Sequence, residues 1–190
     1  MKKMLMGVLV SLMSVTAMAN MGYIKGGLGM SFGGEFEIED SNGAFELESS
    51  VPFFVTYGYN LSEMLAVEAE LSFRNNDAEF DKDSNSESEA SVMNFAVNGV
   101  FTYPMGMSVT PYFGGGLTVG TYEFGSLDSE MGIGLQVFGG ASYAINNKLS
   151  IGGDLRYLLT VSDPEVEING EDKGVSYSHF GLLFNLKYSL

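Results

Sequence analysis

The chain has 190 residues, no cysteine, and 24 acidic against 9 basic side chains, a formal charge of −15 at pH 7. That balance excludes a nucleic-acid binder, which needs a basic footprint for the phosphate backbone, and the missing cysteines exclude disulfide staples. A composition 45% hydrophobic, with 25 glycines, 10 tyrosines, 14 phenylalanines and only four prolines, excludes a disordered chain and favours many strands.

Residues 1–19 read as a secretory leader. Lys2 and Lys3 give a positive start, an apolar run covers 4–15, and Ala17-Met18-Ala19 is a small-x-small cleavage site before Asn20. The run is shorter than the ~20 residues of a membrane-spanning helix. Loss of the leader with its two lysines leaves 20–190 as one domain and deepens the formal charge to −17. No later stretch is long enough for a spanning helix.

Eight stretches then alternate with period two, the signature of strands with two unlike faces. The first, 21–36, sets Ile24, Leu28, Met30 and Phe32 against Lys25, Gly27, Gly29 and Ser31. The second, 49–60, carries Val51, Phe53, Val55, Tyr57 and Tyr59 on its apolar face. The third, 65–75, sets Val67, Ala69, Leu71 and Phe73 against Glu68, Glu70, Ser72 and Arg74. The fourth, 90–103, sets Met93, Phe95, Val97, Phe101 and Tyr103 against Asn94, Asn98 and Thr102.

The fifth, 108–122, sets Val109, Phe113, Leu117 and Val119 against Thr110, Tyr112, Gly114, Gly116 and Thr118. The sixth, 131–145, sets Ile133, Leu135, Val137, Ala141 and Tyr143 against Gly134, Gln136 and Ser142. The seventh, 148–161, sets Leu149, Ile151, Leu155, Tyr157 and Leu159 against Ser150, Asp154 and Arg156. The eighth, 175–190, has Phe180, Leu182, Phe184, Leu186, Tyr188 and Leu190 on one face and His179, Gly181, Leu183, Asn185, Lys187 and Ser189 on the other.

Each stretch is at least as long as the ~9–11 residues a tilted strand needs to cross hydrocarbon. Short connections at 60–63, 104–107 and 146–147 alternate with long ones at 33–48, 76–89, 123–130 and 162–174, and the long ones carry 20 of the 24 acids. Tyr57, Tyr59, Phe101, Tyr103, Tyr143 and Tyr188 share the apolar parity near the short turns, as an interfacial aromatic girdle would. The predicted fold is all-β: an eight-stranded antiparallel up-and-down transmembrane β-barrel with short periplasmic turns and long acidic extracellular loops. Parity alone does not say which face points in, so a soluble lipocalin-like barrel is the rival. Apolar residues on one face of all eight strands, charge on the other, and long loops at one end favour the membrane form.

The region 20–190 resembles the small eight-stranded outer-membrane barrels of the OmpA/OmpX type and related surface antigens. The last strand is similar to the signal read by the barrel-assembly machinery in such proteins: His179, Gly181, Phe184 and Leu186 fall at its polar, glycine and apolar positions. The resemblance implies the bacterial outer membrane, export through a leader, and outer-membrane lipid, lipopolysaccharide and the assembly machinery as partners. With the chain ending on the eighth strand, no peptidoglycan-binding domain is expected.

An eight-stranded barrel is just wide enough for its own side chains. The inward parity includes Lys25, Glu68, Glu70, Arg74, Asp154, Arg156 and Lys187. Buried charges need partners, so Glu68, Glu70 and Asp154 are expected to meet Lys25, Arg156 and Lys187. The expected role is a plugged barrel that holds acidic loops outside the cell for an extracellular ligand; the alternative is a narrow porin-like channel for ions or small solutes.

Catalysis is not expected. The one histidine, His179, adjoins Ser178, but neighbouring strand residues face opposite ways, so His179 reads as an incidental polar residue. Asp81, Asp83 and Asn85 begin like a calcium loop, but Ser86 and Val92 stand where glycine and glutamate are required. The glycine clusters open no helix and so are not phosphate loops. No metal or cofactor is expected.

Overall fold

A computed structural model describes residues 21–38, 44–47, 50–79, 87–124, 130–162, 165–168 and 171–190. The expected leader and many of the loop acids lie outside these residues. The described chain is strand throughout, without helix: β1 (Gly22–Ile38), β2 (Ala44–Leu47), β3 (Phe53–Asn60), β4 (Leu65–Glu79), β5 (Glu87–Thr102), β6 (Val109–Phe124), β7 (Glu130–Ala144), β8 (Leu149–Ser162), β9 (Glu165–Ile168) and β10 (Glu171–Ser189).

Eight of these strands pair antiparallel with their neighbours in the order β1-β3-β4-β5-β6-β7-β8-β10, and β10 pairs back onto β1. The sheet is therefore a closed barrel, which leaves no edge of unpaired backbone in contact with hydrocarbon. β2 and β9 are short and continue the wall. Along β1, Phe53 of β3 lies opposite Leu28, Ser50 opposite Ser31 and Leu47 of β2 opposite Gly34 in one register. Along β10 the partner changes from Leu159 of β8, opposite Ser178, to Glu165 of β9, opposite Gly174. β2 folds back on the end of β1, Gly34 opposite Leu47 through Glu37 opposite Ala44, and β9 does the same on the start of β10. Strand therefore extends into the stretches expected as loops, 33–48 and 162–174. β3 starts later than expected, at Phe53.

Three tight connections mark one end of the barrel. At 61–64, the Ser62 hydroxyl accepts from the backbone N–H groups of Met64 and Leu65. At 145–148, Asn146 Oδ1 accepts from the N–H groups of Lys148 and Leu149, an Asx turn. At 103–108, Gly106 takes φ +68°, a left-handed conformation suited to glycine.

Alternation decides the faces. The apolar set points outward and is exposed: Leu28, Val55, Phe113, Leu117, Val137, Leu155 and Phe184 among others. The polar set points inward and is buried, including Lys25, Glu68, Glu70, Asn98, Asp154 and Arg156. On β6 the outward apolar run from Val109 to Val119 climbs about 25 Å at ~3.3 Å per residue and ~40° tilt, the height of a barrel's lipid-facing band. Cross-strand aromatic pairs reinforce the outer face: Phe53 stacks on Phe73 at 4.9 Å, Phe101 meets Phe113 at 5.0 Å and Tyr157 meets Phe180 at 4.6 Å. Tyr103, Tyr143 and Tyr188 point outward and are exposed.

Candidate functional site

The lumen is the candidate site, and its floor is set by register. Tyr23 on β1, Gly58 on β3 and Glu68 on β4 stand side by side on one rung. Because Gly58 has no side chain, the Tyr23 ring lies across it and its hydroxyl donates to Glu68 Oε1 at 2.6 Å. Further round the barrel, Asn98, Gly116 and Gln136 repeat the device: Gln136 Nε2 donates to Asn98 Oδ1 at 2.6 Å across the intervening glycine. A glycine on the middle strand of three is what lets side chains two strands apart bond.

The charged residues assemble around two aromatic rings. Lys25 Nζ donates to both Glu68 oxygens at 2.8 Å. Arg156 on β8 pairs with Glu70 on β4, and its Nη2 lies 3.5 Å from Asp154 Oδ1. Thr56 adds a bond to Glu70 Oε2 at 3.3 Å. Phe54 and Phe138 lie beside both cations: Arg156 Cζ is 5.3 and 4.8 Å from their centroids, Lys25 Nζ 6.0 and 5.7 Å. Cations are thus held by carboxylates and by ring faces together. Asp154 Oδ2 also accepts from the Tyr112 hydroxyl at 2.9 Å and from Asn185 Nδ2 at 3.3 Å.

The charges are sealed from water: Glu70, Glu68 and Asp154 are 1, 2 and 2% exposed, and Thr56 beside Glu70 is 0% exposed. Apolar side chains fill the space between them, with Tyr23, Ala66, Val100 and Phe138 forming a buried cluster. Ion pairs this deep recover their desolvation cost only with good geometry and extra hydrogen bonds. Tyr23, Thr56, Tyr112 and Asn185 donate such bonds to the carboxylates, whereas Arg156 Nε and Nη2 and Asp154 Oδ1 have no hydrogen-bond partner among the described residues.

The seven charged residues singled out in the sequence all lie on the lumen side, but they form more than one group. Lys25, Glu68, Glu70, Asp154 and Arg156 lie together. Lys187 Nζ instead sits 5.1 Å from the Tyr23 ring centroid, with no carboxylate within ion-pair distance among the described residues. Arg74, nearer the loop end, lies against His179: its Nη1 is 3.1 Å from Nδ1, and its Nη2 meets Nε2. His179 is therefore a buried neighbour of a guanidinium and not an incidental polar residue. In the expected assembly signal, His179 and Gly181 face inward and are buried, and Phe184 and Leu186 face outward and are exposed.

Sequence reading missed Tyr23, Phe54 and Phe138 as lumen residues. The signal was a large aromatic on the parity otherwise held by small and polar residues, with glycine at the facing position of the next strand.

The model of the outer membrane protein beta-barrel domain family matches residues 7–187. No curated protein matches this sequence. Among solved structures, the Neisserial surface protein A is similar at a TM-score of 0.62 and 15% identity, over 89% of this chain and 97% of that one. OprG from Pseudomonas aeruginosa is similar at 0.59 and 12% identity, over 90% and 97%. A major outer membrane protein from Thermus thermophilus is similar at 0.53 and 15% identity, over 88% and 98%. At these identities the likeness speaks for the fold. An outward apolar band on a closed barrel and a family match over nearly the whole chain agree: the chain belongs to the outer membrane protein beta-barrel domain family and resides in the bacterial outer membrane.

Proposed function

We propose that this protein is a plugged barrel whose work is done at the cell surface by acidic loops. The observation that carries this reading is the burial of two ion-paired groups across the lumen, Lys25 with Glu68 and Arg156 with Glu70 and Asp154. A water-filled path would leave such groups wet. Here their partners are one another, two aromatic rings and fixed hydroxyl donors.

In this reading the tight turns at 61–64, 103–108 and 145–148 lie in the periplasm and the acidic connections lie outside, among lipopolysaccharide and an extracellular ligand. Connection length supports that orientation, because short turns on the periplasmic side and longer loops outside are the pattern of outer-membrane barrels. The reading includes no enzymatic step: the single histidine lies against the Arg74 guanidinium. The pattern His179, Gly181, Phe184 and Leu186 is proposed as the segment read by the barrel-assembly machinery, with the outward Phe184 and Leu186 as its apolar contacts.

Planar-bilayer conductance of refolded protein tests the plug. Protein that is demonstrably inserted should be silent, and Glu70→Gln with Arg156→Gln should introduce current by loosening the floor. Discrete steps from the unmodified protein, altered by those substitutions, would instead establish the narrow channel.

A further inference from the structure

The tight turn at 145–148 borders a cleft of about 480 Å³, within the size range of small-ligand sites. Asn146, Asn147, Lys148, Leu149 and Tyr188 line it. Register builds it: Leu149 on β8 stands opposite Tyr188 on β10, and the Ser189 N–H donates to the Lys148 carbonyl at 2.8 Å. The turn itself is held, since Asn146 Oδ1 accepts from the N–H groups of Lys148 and Leu149. That oxygen is spent on the backbone, so the Asn146 side chain has its amide N–H donors left to offer.

The depth of the cleft is fixed by its neighbours. One pleat further along the strands, Ile151 and Leu186 are cross-strand partners exposed on the outer face, with Tyr143 beside Ile151 on β7. The cleft therefore sits where the apolar band gives way to the turn, at the level of lipid headgroups, among outward tyrosines. Lys148 is the one base of the three tight turns. Its Nζ lies 5.5 Å from the Tyr188 ring centroid, and no carboxylate is within ion-pair distance of it among the described residues. The one acid of those turns, Glu63, belongs to the turn between β3 and β4, four strands round the barrel. A cation, amide donors and an aliphatic surface thus meet at one interfacial cleft of an otherwise acidic chain. A phosphate ester with acyl chains complements all three.

We propose that this cleft holds the headgroup of an anionic glycerophospholipid. Its phosphate sits on Lys148 Nζ and the Asn146 and Asn147 amides, and its acyl chains lie over Leu149, Ile151 and Leu186. The Tyr188 ring keeps the ammonium at the cleft. That the lipid is a glycerophospholipid and not lipopolysaccharide rests on the periplasmic placement of the turns proposed above; the match of ammonium to phosphate does not.

The test is native mass spectrometry of the refolded barrel released from detergent micelles that hold phosphatidylglycerol and phosphatidylcholine in equal amounts. The two lipids, with the same acyl chains, differ only in headgroup and net charge. Wild type should retain one phosphatidylglycerol in about fivefold preference, the worth of one basic side chain at an anionic lipid surface. Lys148→Met should abolish that preference and Lys148→Arg should keep it. Lys148 is exposed, so both variants should refold. Lys187→Gln, which removes a lysine from the luminal side of the same end, should leave the preference unchanged. Equal retention of the two lipids by wild type would overturn the site. So would a preference that survives Lys148→Met, or one that falls as far in Lys187→Gln. Displacement of the lipid by millimolar inorganic phosphate would overturn a lipid as the occupant. Lipid A retained in preference to phosphatidylglycerol would overturn the glycerophospholipid and the orientation together, whereas the other failures leave the orientation standing.

Discussion

Val67 and Glu68 are consecutive on β4, yet they meet opposite surroundings. Val67 is 41% exposed on the outer face and Glu68 is 2% exposed in the lumen. A water-soluble protein would reverse the two. The outer face asks only for apolarity, because lipid has no fixed shape to match. The inner face asks for particular partners, because a charge in a narrow lumen is costly unless a specific group meets it. The outside should therefore tolerate many side chains of one kind, and the inside few of any kind.

The strongest test of that contrast is to strand a charge inside. Arg156→Met leaves Glu70 and Asp154 buried without their cation and should cost about 3–5 kcal/mol of folding free energy. Urea unfolding in lipid bilayers measures it. Combining Arg156→Gln with Glu70→Gln should cost less than the sum of the single changes, since the pair acts as a unit.

Outside, the corresponding break is to insert a charge. Leu117→Arg, on a residue 61% exposed at mid-height, should cost about 2–4 kcal/mol if that surface meets hydrocarbon. Leu117→Ile should cost little. Were this outward surface in water instead, Leu117→Arg would be near neutral, so the same unfolding assay separates the two.

A smaller effect should follow from filling a luminal glycine. A side chain at Gly58 would collide with the Tyr23 ring and push its hydroxyl off Glu68. Gly58→Val should cost about 1–3 kcal/mol, and much less in a Tyr23→Ala background. The smallest effect belongs to the rim: Lys148, 5.5 Å over the outward Tyr188 ring, should lose about 0.5–1 kcal/mol on Lys148→Ala.

The same contrast explains what could be read from the sequence. Outer faces were legible because apolarity repeats locally, as in Phe180, Leu182, Phe184, Leu186 and Tyr188. Strand ends were less so: β2 and β9 are four residues each, and Phe45 and Leu47, or Val166 and Ile168, alternate with glutamates over too short a run among acidic residues to stand out as strands. Inner faces were legible as a set but not as partners. Arg156 and Glu70 are 86 positions apart, and Arg74 and His179 are 105 apart. Periodicity fixes which way each points, but the choice between Arg156 and Lys187 as partner for Glu70 depends on barrel register. Lys187 was expected in the network; on the rung it shares with Lys25, Lys25 takes Glu68 and Lys187 stands over the Tyr23 ring.

The most direct measurement uses the absence of native cysteine. Single cysteines at positions 117, 118 and 119 of the refolded protein in bilayers would be offered a charged, water-soluble thiol reagent and a lipid-soluble one. The account predicts that Leu117→Cys and Val119→Cys react only with the lipid-soluble reagent and that Thr118→Cys reacts with neither. Fast reaction at 118 with the charged reagent would contradict the sealed lumen, and reaction at 117 and 119 with it would contradict the lipid-facing exterior.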